Sequence, residues 1–224
     1  MGTQKVKAIE LIFDWSLWPR HKAEVLDITN LNQLREALKA GMRFPAIVIS
    51  EDRRIIDGFH RTRATLDVLG EEGEIDAEIR QYKNDGEMLL EAGALNNHGL
   101  KLSPLDRAHF ILKARRMKIP PVAIAVALGM DKVKMMEFLE KRTAKISTGE
   151  TIALPAGARN FAGKILTESQ EHYVRTTNGC VPAMHARMFL NSLRADMFEL
   201  DEKTIKLFTE LRNKLDSILT EVLS

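Results

Sequence analysis

The chain has 224 residues, 45% hydrophobic and 29% charged, with a formal net charge of +2. That length holds one large domain or two to three small ones, and the composition is that of a globular protein. No apolar run reaches the ~18 residues that cross a bilayer, and the N-terminal stretch lacks the apolar core of a secretory signal, so a cytoplasmic protein without membrane contact is expected.

Residues 20 to 100 read as mixed α and β. Asn30 is placed to cap a helix over Leu31–Lys39, with Gln33 at its third position and Gly41 after its end. Pro45–Ile49 and Arg54–Asp57 read as two strands of a hairpin, turning through Ser50–Arg53. Gly58 then opens a helix over Phe59–Leu69. Glu74–Tyr82 alternates as a half-buried strand, and Gly86–Asn97 is helical.

From Ser103 onward strand signals are scarce. Ser103 caps a helix with Pro104 in its first turn and Asp106 at its third position. Residues 121–138 fit two helices joined at a turn: Ala125 is small where the helices must approach, and Gly129 sits four residues on. Ile124, Leu128, Met130, Met135 and Phe138 take the inward positions. Ser147–Gly163 reads as a loop; within Thr151–Lys164, Arg159, Asn160 and Lys164 suit either a linker or a basic arm, and the linker is favoured. Thr167–Gln170 forms a capping box and Asp201 caps the last helix. Ala186, Phe189, Leu190, Leu193 and Met197 form one apolar helical face. Phe208, Leu211, Leu215, Ile218 and Val222 form a second, spaced as a two-heptad seam, short of the three to four heptads that argue for a coiled coil, and an amphipathic helix covering the domain's own core is the favoured reading. The single cysteine, Cys180, excludes an internal disulfide and a cysteine-based zinc site, and is read as a packing residue.

Charge is unevenly spread. Residues 101–145 hold eleven Lys or Arg against four acidic residues, an excess of +7 in a chain whose total is +2. Such a stretch can attract a polyanion, or it can simply be a solvated helix surface, and charge alone does not decide between them. In the helix pair, the second helix, Lys132–Arg142, would enter the major groove, with Lys132, Lys134, Lys141 and Arg142 as the candidate DNA contacts. Met136 suits packing or contact with a thymine methyl, packing being favoured.

The junction Ile55–Ala64 carries the strongest chemical signal. The first amides of a helix lack backbone acceptors and sit in the positive end of its dipole, so a strand-to-helix turn with a glycine can accept phosphate; the residues alone equally suit a plain strand–helix junction with exposed basic side chains. Gly58 supplies the glycine, and His60, Arg61 and Arg63 supply donors and charge. Asp57 has two readings, a cap for the helix, which is favoured, or a group that holds magnesium or orients His60. No Walker P-loop occurs.

The segment Asp57-Gly-Phe-His-Arg-Thr-Arg-Ala64 resembles the G-E-R-R-x-R-A box of ParB proteins, and is similar to the G-G-C-H-R box of sulfiredoxin and the D-G-H-H-R box of a related free-serine kinase. Trp18-Pro-Arg20 resembles the Pro-Arg box of ParB domains. Leu95-Asn-Asn97 and Leu102–Ala108 resemble the family's E-N-x-x-R segment and the helix after it. The resemblance spans residues 15–142. It implies an α+β fold: a ParB/sulfiredoxin-like nucleotide-binding domain over 1–100, a helix-turn-helix over 101–146 and a helical C-terminal region over 147–224. It further implies that Gly58, Phe59, His60 and Arg61 cradle nucleotide phosphates, with Arg20, Arg63 and Asn97 beside them. CTP is the favoured nucleotide and ATP the second, with Mg2+ at Asn97 or Asp57. Homodimerisation through C-terminal elements follows from the same architecture.

The sequence also departs from the family. Phe59 stands at sulfiredoxin's catalytic cysteine, which excludes that chemistry. Asn96-Asn97 stands where nucleotide-hydrolysing relatives have Glu-Asn, and the following Arg is replaced in His98-Gly-Leu100. An amide carries no charge and is no general base, so nucleotide hydrolysis is not expected to be efficient. Asn96 and Asn97 also suit a helix C-terminus before Gly99. The function expected is that of a ParB-like DNA-binding protein of partition or regulation type. The alternatives are a phosphotransferase or nucleoside triphosphatase using Glu51 or Asp52, a nuclease, or a regulator with a dead nucleotide pocket.

Overall fold

The structure is a computed structural model that describes residues 2–21, 26–96, 101–177, 189–191, 193–194 and 201–223. It is α+β and divides into two units, Met1–Gly179 and Cys180–Ser224. The first begins with β1 (Thr3–Lys7), α1 (Ile28–Lys39), β2 (Ile47–Ser50), β3 (Ile55–Asp57), α2 (Phe59–Leu69) and β4 (Glu74–Arg80). The strands form a sheet in the order β1-β4-β2-β3, with β2 parallel to β4 and the outer pairs antiparallel. The hairpin and the alternating strand are as expected from sequence. β1 was not expected: with Val6 its one buried residue, Thr3–Lys7 shows no apolar alternation.

The sheet is buried on both faces because its side chains alternate. Ile47, Ile49, Ile55, Ile75 and Ala77 pack with Trp18 and with Phe59 of α2. Val48 and Ile56 face the other way, onto Leu17 and onto Met88 and Ala92 of α3 (Asp85–Leu95).

The first helix begins earlier than Asn30. Its N-cap is Asp27, whose carboxylate accepts the Asn30 backbone N–H at 2.8 Å. A cap is fixed by the residue whose own backbone is still extended, and that residue is Asp27 (ψ 111°).

α4 (Pro104–Arg116) carries the expected capping box of Ser103 and Asp106. It joins α3 at close range, because Gly93 has no side chain and the buried Phe110 ring fills that space. α5 (Pro121–Ala127) and α6 (Lys132–Glu140) follow, and pack Ile124, Ala125, Leu128, Met135 and Leu139 into one core with Phe110 and Ile111. Their turn closes at Gly129 (φ +61°), where the Met130 N–H donates to Ala125 O and the Gly129 N–H to Val126 O, both at 3.0 Å. This double closure needs a left-handed residue, hence glycine.

Beyond Ser103, where strand signals are scarce and a helical region was expected, the structure adds two short strands. β5 (Thr143–Lys145) and β6 (Thr151–Ala153) form an antiparallel hairpin, and Ala156–Phe161 turns in a 3-10 helix, so Ser147–Gly163 is not a plain loop. Three-residue strands are too short to display a period. They are held by a small core of Ala144, Ile146, Ile152, Leu154, Leu166 and Val174, to which α7 (Glu168–Thr177) contributes. Thr167 and Gln170 cap α7 reciprocally, as expected.

The second unit contains α8 (Glu202–Leu223), capped by Asp201, which accepts the Thr204 N–H at 2.7 Å. Phe208 meets Phe189 edge-on at 5.6 Å between ring centroids. Leu211 and Leu215 of the expected seam are exposed. Cys180, Ala186 and Met197 lie outside the described residues, as does Asn97 in the first unit.

Candidate functional site: a cleft at a strand–helix junction and a basic helix pair

A cleft of about 580 Å³ opens where β3 turns into α2. This lies within the range of small-ligand sites. Its walls include Trp18–Arg20, the α2 start at Gly58–Arg61, Glu78 and Arg80 on β4 and Asn96 at the end of α3, with Asn30 and Leu34 of α1 and Pro45, Ala46 and Val48 beside them.

Gly58 is the N-cap of α2, at φ +114°, with no side-chain cap. A Cβ there would collide with the Ile47 side chain. The glycine is therefore required by the fold itself, before any ligand is considered. The reading of Asp57 as the cap is corrected: its carboxylate turns to Arg61, accepting from Nη2 at 2.6 Å. The α2 start is thus left without a side-chain acceptor, so its first amides are available to an anion.

The carried-over residues split in role. Phe59 lines the cleft and turns its ring into the core, 2% exposed, among Phe13, Trp15 and Trp18. The His60 ring accepts the Asp27 N–H at Nε2, 2.9 Å away. Its proton is thereby assigned to Nδ1. Burial, with help from the Arg20 charge, lowers its pKa, so it is neutral near pH 7 and acts as a donor rather than a cation. Arg61 lines the cleft but its guanidinium is engaged by the Pro45 and Ala46 carbonyls (2.6 and 3.0 Å) as well as by Asp57. Arg63 is not brought to the cleft: it pairs with Asp67 on its own helix at 3.0 Å, where Arg35 also binds.

Arg20 supplies a positive edge of the cleft and is held there by several partners. It donates to Asn96 Oδ1 at 3.3 Å, lies over the Trp18 ring at 5.9 Å, and pairs with Asp106 of α4 at 3.5 Å. Asp106 is a hub. One oxygen accepts the His21 N–H and ring Nδ1 (2.9 and 2.8 Å); the other accepts the Ser103 N–H and Oγ (3.0 and 2.7 Å). Burial alone would raise its pKa, but these donors from His21 and Ser103 prevail and hold it far below the usual carboxylate range. Lys113, one helical stretch further on α4, donates to the carbonyls of Trp15 and Trp18, at 3.3 and 2.9 Å.

Glu78 and Arg80, which pair at 2.6 Å, are cleft residues that sequence reasoning missed. The available signal was the alternation of β4, which places residues 76, 78 and 80 on one face. Glu51 and Asp52 do not line the cleft; Glu51 accepts from Gln81 and Asp52 pairs with Arg54 at 2.8 Å. Among the described residues no group of three or more His, Cys, Asp or Glu is placed to hold a metal ion. Asn96 closes α3 as its C-cap, and its Nδ2 donates to Ala92 O.

On the helix pair, Lys132, Lys134 and Lys141 are exposed. Arg142 folds back over the Phe138 ring at 4.8 Å and is partly buried. Met135 is in the core and Met136 packs beside it, as expected of a packing residue. Among the described residues no helix is long and apolar enough to cross a membrane.

Taken together, the chain is an α+β protein with a ligand-sized cleft at a strand–helix junction, followed by a basic helix pair. No protein-family model matches it, and no curated protein does. Solved structures similar to it include ParB proteins. A Pnob8-like ParB-N domain is 13% identical (TM-score 0.39), covering 81% of this chain, which spans 65% of that one. The C-terminally truncated chromosome-partitioning protein ParB from Caulobacter crescentus, complexed to the centromeric parS site, is 15% identical (TM-score 0.44; 61% and 70% covered). The same protein complexed with CTP-gamma-S is 15% identical (TM-score 0.36; 85% and 99% covered).

Proposed function

We propose that this chain is a ParB-like DNA-binding protein whose cleft takes the phosphates of a nucleoside triphosphate. The observation that carries the reading is the α2 start: an uncapped helix terminus, aimed into a cleft whose rim holds the His60 donor and the Arg20 cation. The residue match to the ParB box falls on that terminus, and favours CTP over ATP. Mg2+ would accompany the triphosphate, with Asp57 or Glu78 in reach of the cleft once released from its arginine. The α5–α6 pair acts as the helix-turn-helix, and exposed Lys132, Lys134 and Lys141 neutralise DNA phosphates. The apolar residues exposed along α8 suit a homodimer contact.

Calorimetric titration of the full chain with CTP, ATP and GTP, each with magnesium, tests the cleft. His60→Ala is the variant of choice, since Arg61→Ala would also untie Pro45, Ala46 and Asp57. Saturable binding of one nucleotide, weakened at least several-fold in a folded His60→Ala chain, is expected. No binding to the folded parent would refute the nucleotide reading.

A further inference from the structure

α6 presents an outward face whose chemistry its fold does not require. Met135 and Leu139 point inward and are buried, and Met136 and Phe138 flank them. On the opposite side stand Val133, 63% exposed, and Glu137, one turn later and also exposed. Val133 buries little, and a β-branched residue is a poorer helix former than the lysines beside it. Its neighbours Lys132 and Lys134 are both exposed cations. An apolar branched side chain framed by positive charge matches a surface that is polyanionic yet carries apolar points. The major groove is such a surface, and its apolar point is the thymine C5-methyl. Glu137 fits the same partner: a carboxylate among phosphates is repelled unless it reaches a base donor, and the cytosine amino group is that donor. Residues i and i+4 stand ~5–6 Å apart on a helix surface, a spacing that spans neighbouring base pairs.

We infer that Val133 and Glu137 are the base-reading pair of this chain, Val133 against a thymine methyl and Glu137 against the amino group of a nearby cytosine, with the lysines holding the backbone. The inference rests on the DNA-binding reading above. It concerns residues that charge counting passes over, since one is neutral and the other acidic.

The test is selection of a duplex from a random library with the full chain, followed by anisotropy titrations on the selected site. Each thymine is replaced in turn by uracil, which removes only the methyl. One such replacement weakens the parent about fourfold, the value of one buried methyl-sized group, and leaves Val133→Ala unchanged. Glu137→Gln shifts the preference at the neighbouring position from cytosine toward adenine, the base that glutamine reads. Both substitutions fall at exposed positions, and circular dichroism verifies the fold. Equal uracil sensitivity in the parent and in Val133→Ala overturns the inference, as does a selected site without thymine. Binding to DNA without sequence preference overturns the inference but leaves the DNA-binding reading standing. Absence of binding to any duplex at low salt overturns both.

Discussion

Replacing Asp106 by asparagine probes the hub that ties the Pro-Arg segment to α4. The carboxylate side chain is 8% exposed, and each of its oxygens accepts a backbone N–H, from His21 on one side and Ser103 on the other. An amide offers one oxygen and one NH2 group. Whichever way it is turned, its NH2 meets a backbone N–H, two donors face to face. A buried donor left unsatisfied costs about 1–3 kcal/mol, and hydrogen bonds to a charged group are worth about 1.5–3 kcal/mol each. Arg20 and His21 retain some access to water, with side chains 15% and 27% exposed, so the full cost of breaking a buried ion pair is not reached. The expected loss is about 3 kcal/mol. The chain's two tryptophans, Trp15 and Trp18, both lie in this region, so their fluorescence reports unfolding of the unit concerned without interference from α8. With a urea slope of about 2 kcal/mol/M the midpoint falls by about 1.5 M. The same variant removes one partner of Arg20, so under the proposed function nucleotide affinity should fall with it. A midpoint within 0.5 M of the parent (roughly 1 kcal/mol on that slope) would refute the view that Asp106 organises this junction.

Gly93→Ala should destabilise by about 1–3 kcal/mol, because the new methyl is driven into the Phe110 ring, and a thermal melt reads the loss. His109 is pulled down to about 4 by burial, with the charges of Lys113 and His21 adding. The unfolded chain, with histidine near 6.5, takes up this proton first, so His109 supports the fold fully above pH 6.5, loses its contribution as pH falls from there toward 4, and changes nothing further below. Between pH 7 and 5 the loss is about 2 kcal/mol, at 1.36 kcal/mol per unit, and His109→Gln flattens that part of the urea-midpoint profile. Under the proposed DNA-binding function, Lys134→Ala should reduce the slope of log affinity for DNA against log salt by about 0.9, measured by anisotropy between 50 and 200 mM salt.

Much of the local architecture was legible because it obeys short-range rules. The Ser103–Asp106 box, the Thr167–Gln170 box, the Asp201 cap and the Gly129 turn each depend on a few adjacent residues. The junction at Gly58 was legible for the same reason. What escaped was set by partners distant in the chain. Arg61 looks like a phosphate ligand in a one-dimensional string, and only the fold brings the Pro45 and Ala46 carbonyls to it. Arg63, two residues on, rotates to another side of α2 and finds Asp67. Glu78 and Arg80 enter the cleft because β4 pairs with β2, a parallel contact across a crossover that no local pattern announces. The β5–β6 hairpin was missed because its strands are shorter than the window in which alternation can be counted.

The Lys113 ammonium holds the carbonyls of Trp15 and Trp18, residues 98 and 95 positions upstream. During synthesis the N-terminal strands and α2 leave the ribosome well before that lysine exists. The aromatic wall of the cleft therefore lacks this one tether until α4 has emerged and closed a loop of nearly half the chain. Closing such a loop costs entropy only logarithmically in its length, so the delay is one of order of assembly more than of energy. The cleft is in this sense a late product of translation, finished by the helix that leads into the α5–α6 pair.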